Sequence, residues 1–350
     1  AALWRRTRMF LVASVVVVPT FWSCLAAAQQ GTPLTIAAAE DLAVAGEPGQ
    51  LALLARQAAL GEKAAAAVEL PDPTLRVGLL NYPLSGGSFS TEGMTQAQLG
   101  IRQVLPRART RALAEARLKS MATGVGDSAA ARVRDVLTAV RRAWLDVYYW
   151  QAAERTVSDS RPFFADLLNV TRSMYSVGRK SQHDVLRAEL ELSRLDERLL
   201  QSASAREAAQ AELSRWLGPD AYRPVAMKLP VWPTPPDIET LLRRLESHPQ
   251  LAAAAAVTVA SEAGIDLARE SRKPDWALDL SYGFRDGFLP SGQPRSDFVS
   301  LNVTVGLPFF GRNRQDRELA AALGDRRAAV AEKQELLARL QSELQAEYSR

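Results

Sequence analysis

The sequence predicts a mainly α-helical chain in which two β-hairpins are set between long polar helices, and three observations predict it. The first is a duplication. Residues 50 to 120 and 250 to 322 run in the same order: helix, Pro-marked break, strand, Gly-containing turn, second strand ending in Leu-Pro, long polar helix. Gln50-Leu51 answers Gln250-Leu251, Pro73 answers Pro274 and Leu105-Pro106 answers Leu307-Pro308, at offsets that drift only from 200 to 202. So long a period means two copies of one structural unit rather than a solenoid of short repeats. The second observation is strict alternation within the hairpins, and the third is a narrow apolar seam on otherwise charged helices.

The amino terminus comes first in the chain. Arg5, Arg6 and Arg8 precede an apolar run from Met9 to Trp22, and Ala26-Ala27-Ala28 offers a small-residue cleavage site, so residues 1–28 read as a secretory signal. Their removal takes three Arg and no acid, and the formal charge falls from +4 to +1. The high nominal pI therefore gives no support for nucleic-acid binding, which needs a basic stripe. Cys24, the only cysteine, rules out an internal disulfide. Cys24 is also a lipidation candidate, but a disfavoured one. Phe21-Trp22-Ser23 departs from the usual Leu-Ala-Gly lead-in, and cleavage past Cys24 removes the lone thiol.

The hairpins alternate as strands do when their two faces meet different surroundings. Val299, Leu301, Val303, Val305 and Leu307 share one face, against Ser300, Asn302, Thr304 and Gly306. Trp276, Leu278, Leu280, Tyr282 and Phe284 oppose Ala277, Asp279, Ser281, Gly283 and Arg285. Leu75, Val77 and Leu79, then Ala97, Leu99 and Ile101, repeat the pattern more weakly. A half-buried sheet on a soluble core gives this alternation, and so does a membrane barrel with lipid outside and water inside. Four strands do not close a barrel, since single chains begin at about eight. An open sheet in lipid would leave its edges unpaired, so a membrane role requires several chains to pool their hairpins.

From Arg107 to about Val177 the strand signals cease. As one helix this segment would extend about 105 Å at ~1.5 Å per residue. Val133, Val136, Leu137, Val140, Trp144 and Val147 form its seam, and the return segment places Val185, Ala188, Leu192, Leu195, Leu199, Ala209, Leu213 and Trp216 at coiled-coil spacing. Pro162 predicts a kink, and Gly124 and Gly126 predict weak points. Glu189, Glu191, Asp196 and Glu197 interleave with Arg187, Arg194 and Arg198 as a solvated, ion-paired face.

Between these helices lie Tyr175, Gly178, Ser181, Asp184, Val185, Leu186 and Ala188. Gly178 suits a left-handed helix stop, and Ser181 with Asp184 has the form of an N-cap with an acidic first turn. This run resembles the periplasmic hairpin tip of the TolC family of outer-membrane channels, whose pattern is Y-x-x-G-x-x-[ST]-x-x-D-[LV]-L-x-A. Leu34-Thr35-Ile36, Asp72-Pro73-Thr74 and Leu307-Pro308-Phe309-Phe310-Gly311 are similar to that family too, and the order is closest to the CzcC and CusC heavy-metal type. The resemblance implies a TolC-like homotrimer: four strands per chain in a twelve-stranded transmembrane β-barrel, and long α-helical hairpins as a periplasmic tunnel. It also implies a location in outer-membrane lipid, a periplasmic adaptor touching the tip at Gly178, Arg179, Lys180 and Ser181, and an inner-membrane pump of the RND type. Asp184 falls where such tips carry an acidic gate residue; the sequence equally makes it a helix cap, and the two roles are compatible. Arg179 and Lys180 stand where the TolC tip is apolar, which implies a more electrostatic adaptor contact. The family's second tip would follow Arg350, leaving the second repeat incomplete.

Residues 218–236 hold six prolines, read as a linker with little regular structure. Residues 29–350 then form a single channel domain of two repeats, about 34–217 and 237–350. Catalysis finds no footing: His183 and His248 lie in separate segments, no metal-ligand spacing occurs and no phosphate loop follows a strand. No enzyme, cofactor or bound metal is expected. The reading is a passive export conduit, for heavy-metal cations first, with drug efflux or type I secretion as alternatives. A periplasmic adaptor is the rival from another class, and the duplication disfavours it.

Overall fold

The computed structural model describes residues 32–349, so the signal segment and Cys24 lie outside the described residues. In chain order the elements are α1 (Ile36–Val44), α2 (Pro48–Ala67), β1 (Thr74–Leu80), β2 (Gln96–Leu105), α3 (Thr110–Ser176), α4 (Gln182–Leu217), a 3₁₀ turn (Gly218–Tyr222), α5 (Ile238–Leu245), α6 (Pro249–Glu270), β3 (Asp275–Phe284), β4 (Phe298–Gly306) and α7 (Gln315–Tyr348). The duplication is visible in this order: α2-β1-β2-α3 is repeated as α6-β3-β4-α7. The chain divides into two compact units, one of residues 46–136 and 232–349, the other of residues 32–45 and 137–231.

The first unit holds the sheet, four antiparallel strands in the order β1-β2-β3-β4, so the two copies join through β2 and β3. The register aligns Leu75, Ile101, Leu280 and Leu301 across all four strands, and Val77, Leu99, Tyr282 and Val299 in the next same-face row. The polar set between them is Arg76, Gly100, Ser281 and Ser300. Because side chains alternate with period two, this register sorts every apolar row to one face. β1 and β4 are the edges of the sheet.

The helices of this unit approach closely at glycine. A Cβ on Gly124 would lie 3.0 Å from Ala256 Cβ and 3.2 Å from the Ala253 carbonyl, and one on Gly126 would lie 2.6 Å from Gln57 Nε2. The expected weak points are therefore packing positions, where α3 meets α6 and α2, and α3 runs through both without a break. Glu47 caps α2 by accepting from the Gln50 amide at 2.5 Å and is buried against Arg132, with Oε1 to Nη2 at 2.7 Å. The Arg132 guanidinium is the main reason that the Glu47 carboxyl is held below its ordinary value. At the far end of α2, Arg111 donates to the Val68 carbonyl at 2.6 Å.

In the second unit, the rest of α3 and α4 bury a narrow seam. Val140, Ala143, Trp144, Val147, Leu168 and Thr171 line it from α3. Ala188, Leu195 and Ser202 line it from α4 at seven-residue spacing, followed by Gln210, Leu213 and Leu217. Ion pairs cross between the helices: Arg161 to Asp196 at 2.6 Å, Arg172 to Glu189 at 2.7 Å, Arg206 to Glu154 at 2.7 Å. Of the charged face expected on α4, Glu189 and Asp196 thus pair across to α3, while Glu191 pairs with Arg194 along α4. Pro162 lies inside α3 without ending it, and its neighbour Arg161 pairs across to Asp196. Residues 218–236 are more ordered at their start than expected. After the 3₁₀ turn, the Leu34 amide donates to the Pro224 carbonyl at 2.8 Å and the Ala226 amide to the Leu34 carbonyl at 3.1 Å. Trp144 Nε1 donates to the same Leu34 carbonyl at 3.0 Å, and Gln151 brackets Val225.

Candidate functional site

Two places are candidates for function, the two-faced sheet and the hairpin tip. On the sheet the apolar face is bare. Val77 is 73%, Leu301 64% and Ile101 54% exposed, values that belong to a surface awaiting an apolar neighbour. The opposite face is polar and internally paired. Asp279 is buried between two arginines, Arg76 Nη2 at 3.4 Å and Arg102 Nε at 3.9 Å, and Gln98 donates to Ser281 Oγ at 2.8 Å. Gly283 and Gly306 lie on this polar face, where a Cβ would collide with the side chains of Gln96 and Asp275. Aromatic residues mark the ends of the apolar face: Tyr282 and Phe284 at one, Trp276 at the other, with Phe309 and Phe310 fully outside just beyond β4. Girdles of this kind flank the lipid-facing band of membrane barrels.

The loops at the Phe284 end are tied together. Arg295 Nη1 donates to the carbonyls of Ser90 at 3.1 Å, Glu92 at 3.2 Å and Asp286 at 3.1 Å, Arg285 donates to the Gly93 carbonyl, and Phe89 stacks on Phe284. Sequence reasoning missed these links, since nothing local to Arg295 announces partners in the turn between β1 and β2.

At the tip the structure brings together all five expected residues. Gly178 has φ 72°, its amide donates to the Tyr175 carbonyl at 3.0 Å and the Arg179 amide to the Met174 carbonyl at 2.8 Å, which is a complete Schellman stop for α3. Two residues on, the Asp184 amide donates to Ser181 Oγ at 3.4 Å while Asp184 Oδ2 accepts from the Ser181 amide at 2.9 Å, a reciprocal capping box that starts α4. Arg179 and Lys180, exposed between stop and start, project from a turn clamped on both sides. The Ser181 amide and hydroxyl, and then the charges of Lys180 and Arg187, hold the Asp184 carboxyl below its ordinary value. His183 is exposed beside it, and His248 caps α6 with its ring accepting from the Gln250 amide at 3.4 Å. Among the described residues no group of three or more His, Cys, Asp or Glu is placed to hold a metal.

A small sheet with one apolar and one polar face, joined to long helices that pack through a coiled-coil seam, is an arrangement met in solved outer-membrane channel structures. The fold is that of the TolC-type outer-membrane channels. Among solved structures, the chain is similar to CusC, described by its conformational changes accompanying folding and transmembrane channel formation, with TM-score 0.69 and 12% identity over 88% of this chain and 73% of that one. It is similar to the outer membrane protein VceC from Vibrio cholerae, with TM-score 0.68 and 16% identity over 87% and 75%. It is similar also to the outer-membrane channel OprN, with TM-score 0.69 and 17% identity over 88% and 72%. No protein-family model and no curated protein matches the sequence.

Proposed function

We propose that this chain is one third of a passive outer-membrane conduit in a tripartite efflux system. The observation that carries the reading is the sheet: a bare apolar face, an ordered polar face and two edges that the chain does not pair. In lipid an unpaired edge costs several kcal/mol per backbone group, and closure into a barrel is the arrangement that removes edges. Three copies, with β4 of each pairing to β1 of the next, supply twelve strands and satisfy every edge. The polar rows around Asp279 and Ser281 then line the lumen. The two repeats, 34–217 and 237–350, make one domain of this conduit.

The tip supports the proposed partners. Arg179 and Lys180 sit on a rigid turn at the end of a helical hairpin, a suitable docking point for a periplasmic adaptor with an acidic surface, itself coupled to an inner-membrane pump of the RND type. Asp184 serves as a gate contact in addition to its capping role. Heavy-metal cations are the proposed cargo, on the resemblance of the repeat order in the sequence to the CzcC and CusC type. Full-length protein should fractionate with the outer membrane and run as a trimer in mild detergent. Recovery as a soluble periplasmic monomer would overturn the channel reading. Loss of the gene product should lower resistance to divalent metal salts more than to hydrophobic drugs, and the reverse order would move the cargo to drugs.

A further inference from the structure

Where β2 ends and β3 begins, the apolar face of the sheet meets a basic cleft. Leu105 and Trp276 are direct cross-strand partners at the last row of that face, 40% and 47% exposed. Just beyond them the chain leaves both strands through Pro106-Arg107 and Lys273-Pro274, and these residues line a cleft of about 390 Å³ together with Leu105 and Trp276. Arg107 Nε donates to the Lys273 carbonyl at 2.6 Å, which ties the two exits side by side. That bond uses one of the five guanidinium donors and leaves the others for a ligand. Lys273 Nζ meets Glu270 Oε1 at 2.5 Å, but the lysine side chain is 56% exposed and keeps donors on its outer side, while the carboxylate beneath is 4% exposed.

The cleft therefore offers two cations at the rim of an apolar wall, with an indole at the boundary. A free anion would use the cations alone. An amphiphile with an anionic head uses both halves, and Trp at such a boundary suits the interface of a bilayer. Phe309 and Phe310, 80% and 81% exposed just past β4, carry the same apolar rim onward, and Arg312 and Arg314 follow them. Basic residues immediately outside a membrane span favour anionic lipid by about a factor of five each.

We propose that this cleft binds an anionic glycerophospholipid in the leaflet facing the periplasm. Arg107 and Lys273 take the headgroup phosphate oxygens, and an acyl chain lies along Trp276 and Leu278. The proposal rests on the membrane-channel reading. The bound lipid would fix the point at which each hairpin leaves the bilayer and turns into helix.

The test uses the full-length trimer in mild detergent, titrated with phosphatidylglycerol or chain-matched phosphatidylcholine and followed by native mass spectrometry. Phosphatidylglycerol should be retained at up to one per chain and phosphatidylcholine stripped more readily. Arg107→Gln with Lys273→Gln should weaken phosphatidylglycerol roughly 25-fold, from about fivefold per basic residue, and Arg107→Lys alone should keep most of the affinity. Equal retention of the two lipids, or an unchanged double variant, would overturn the proposal. So would displacement by millimolar inorganic phosphate, which would mark a free-anion site. Should the double variant not assemble, phosphatidylglycerol brominated on its acyl chain should quench the unsubstituted trimer more than a Trp276→Phe trimer, and equal quenching would overturn the site. A soluble monomer in these preparations would sink the channel reading; a membrane trimer without lipid preference would sink this inference alone.

Discussion

The sheet and the helical hairpin place the same kinds of residue in opposite positions. In the hairpin the apolar residues are few and inside: Trp144, Val140, Val147 and Leu213 are fully buried, and the charges stand outside and pair with one another. In the sheet the apolar residues are many and outside, with Leu75, Val77, Leu301 and Val303 all more than half exposed, while Asp279 and Ala277 are buried on the reverse. On the proposed channel reading one hydrophobic effect produces both arrangements, because the helices meet water and the apolar sheet face meets hydrocarbon. Mean hydropathy does not display this contrast, because alternating strands cancel in any running average.

The largest effect should come from attacking the hairpin's interior. Trp144→Ala should cost about 3–5 kcal/mol, since it empties a fully buried site and removes the indole bond to the Leu34 carbonyl that holds residues 224–226 in place. Leu301→Ala, on the face assigned to lipid, should barely move the denaturation midpoint in detergent. Comparable losses from the two would break the contrast, because they would make the sheet's apolar face a protein core.

A smaller effect should separate the two faces of one strand. Val303→Arg should impair assembly of the heat-resistant trimer at a cost of about 2–4 kcal/mol if the position lies near the bilayer midplane. Asn302→Arg should be tolerated, because that position belongs to the row of Asp279 and Arg102 on the wet face. Equal damage from the pair would mean that both faces are dry and that no lumen exists.

The helices beneath the sheet supply a test whose sign matters more than its size. Gly→Ala inside a helix ordinarily stabilises by about 0.5–1 kcal/mol. At Gly124 the new Cβ would press on Ala256 and on the Ala253 carbonyl at 3.0 and 3.2 Å, so Gly124→Ala should instead destabilise, read as a lowered thermal midpoint. A raised midpoint would return Gly124 to the role of a weak point in α3.

That position also shows what the sequence could and could not disclose. The strands were legible because period-two alternation is local, and the register later aligned the very rows that alternation had grouped. The tip was legible for the same reason: Gly178, Ser181 and Asp184 act on amides within a few residues of themselves. Gly124 and Gly126 were misread because a glycine facing a neighbouring helix looks the same as a glycine facing water until the neighbour is placed. Arg161, beside Pro162, pairs with Asp196 thirty-five positions away. The Leu34 bridge, the Glu47–Arg132 pair and the Arg295 links are likewise long-range, between residues whose own surroundings give no sign of a partner.

The smallest expected effect on stability falls at the tip, and it sharpens the contrast in a different way, since there a charge is exposed and yet constrained. Ser181→Ala should cost about 1 kcal/mol by leaving a helix amide uncapped. Asp184 takes the other half of the box. Its carboxyl is held below the ordinary value, so its contribution is present above the ordinary carboxylate range and is lost as pH falls through the lowered value. Amide protection at residues 181–184, taken relative to the intrinsic exchange rate at each pH, should therefore fall on acidification through that value, and Asp184→Asn should remove this dependence. Capping alone predicts nothing further. If Asp184 also closes the channel, Asp184→Ala in the full-length trimer should raise single-channel conductance and admit bulky antibiotics that the resting protein excludes, whereas Ser181→Ala, which weakens the same cap but leaves the charge, should change conductance little. Equal conductance in both variants would reduce Asp184 to a helix cap. Arg179→Ala with Lys180→Ala should lower adaptor crosslinking without altering conductance, because a docking charge acts on the partner and a gate charge on the pore.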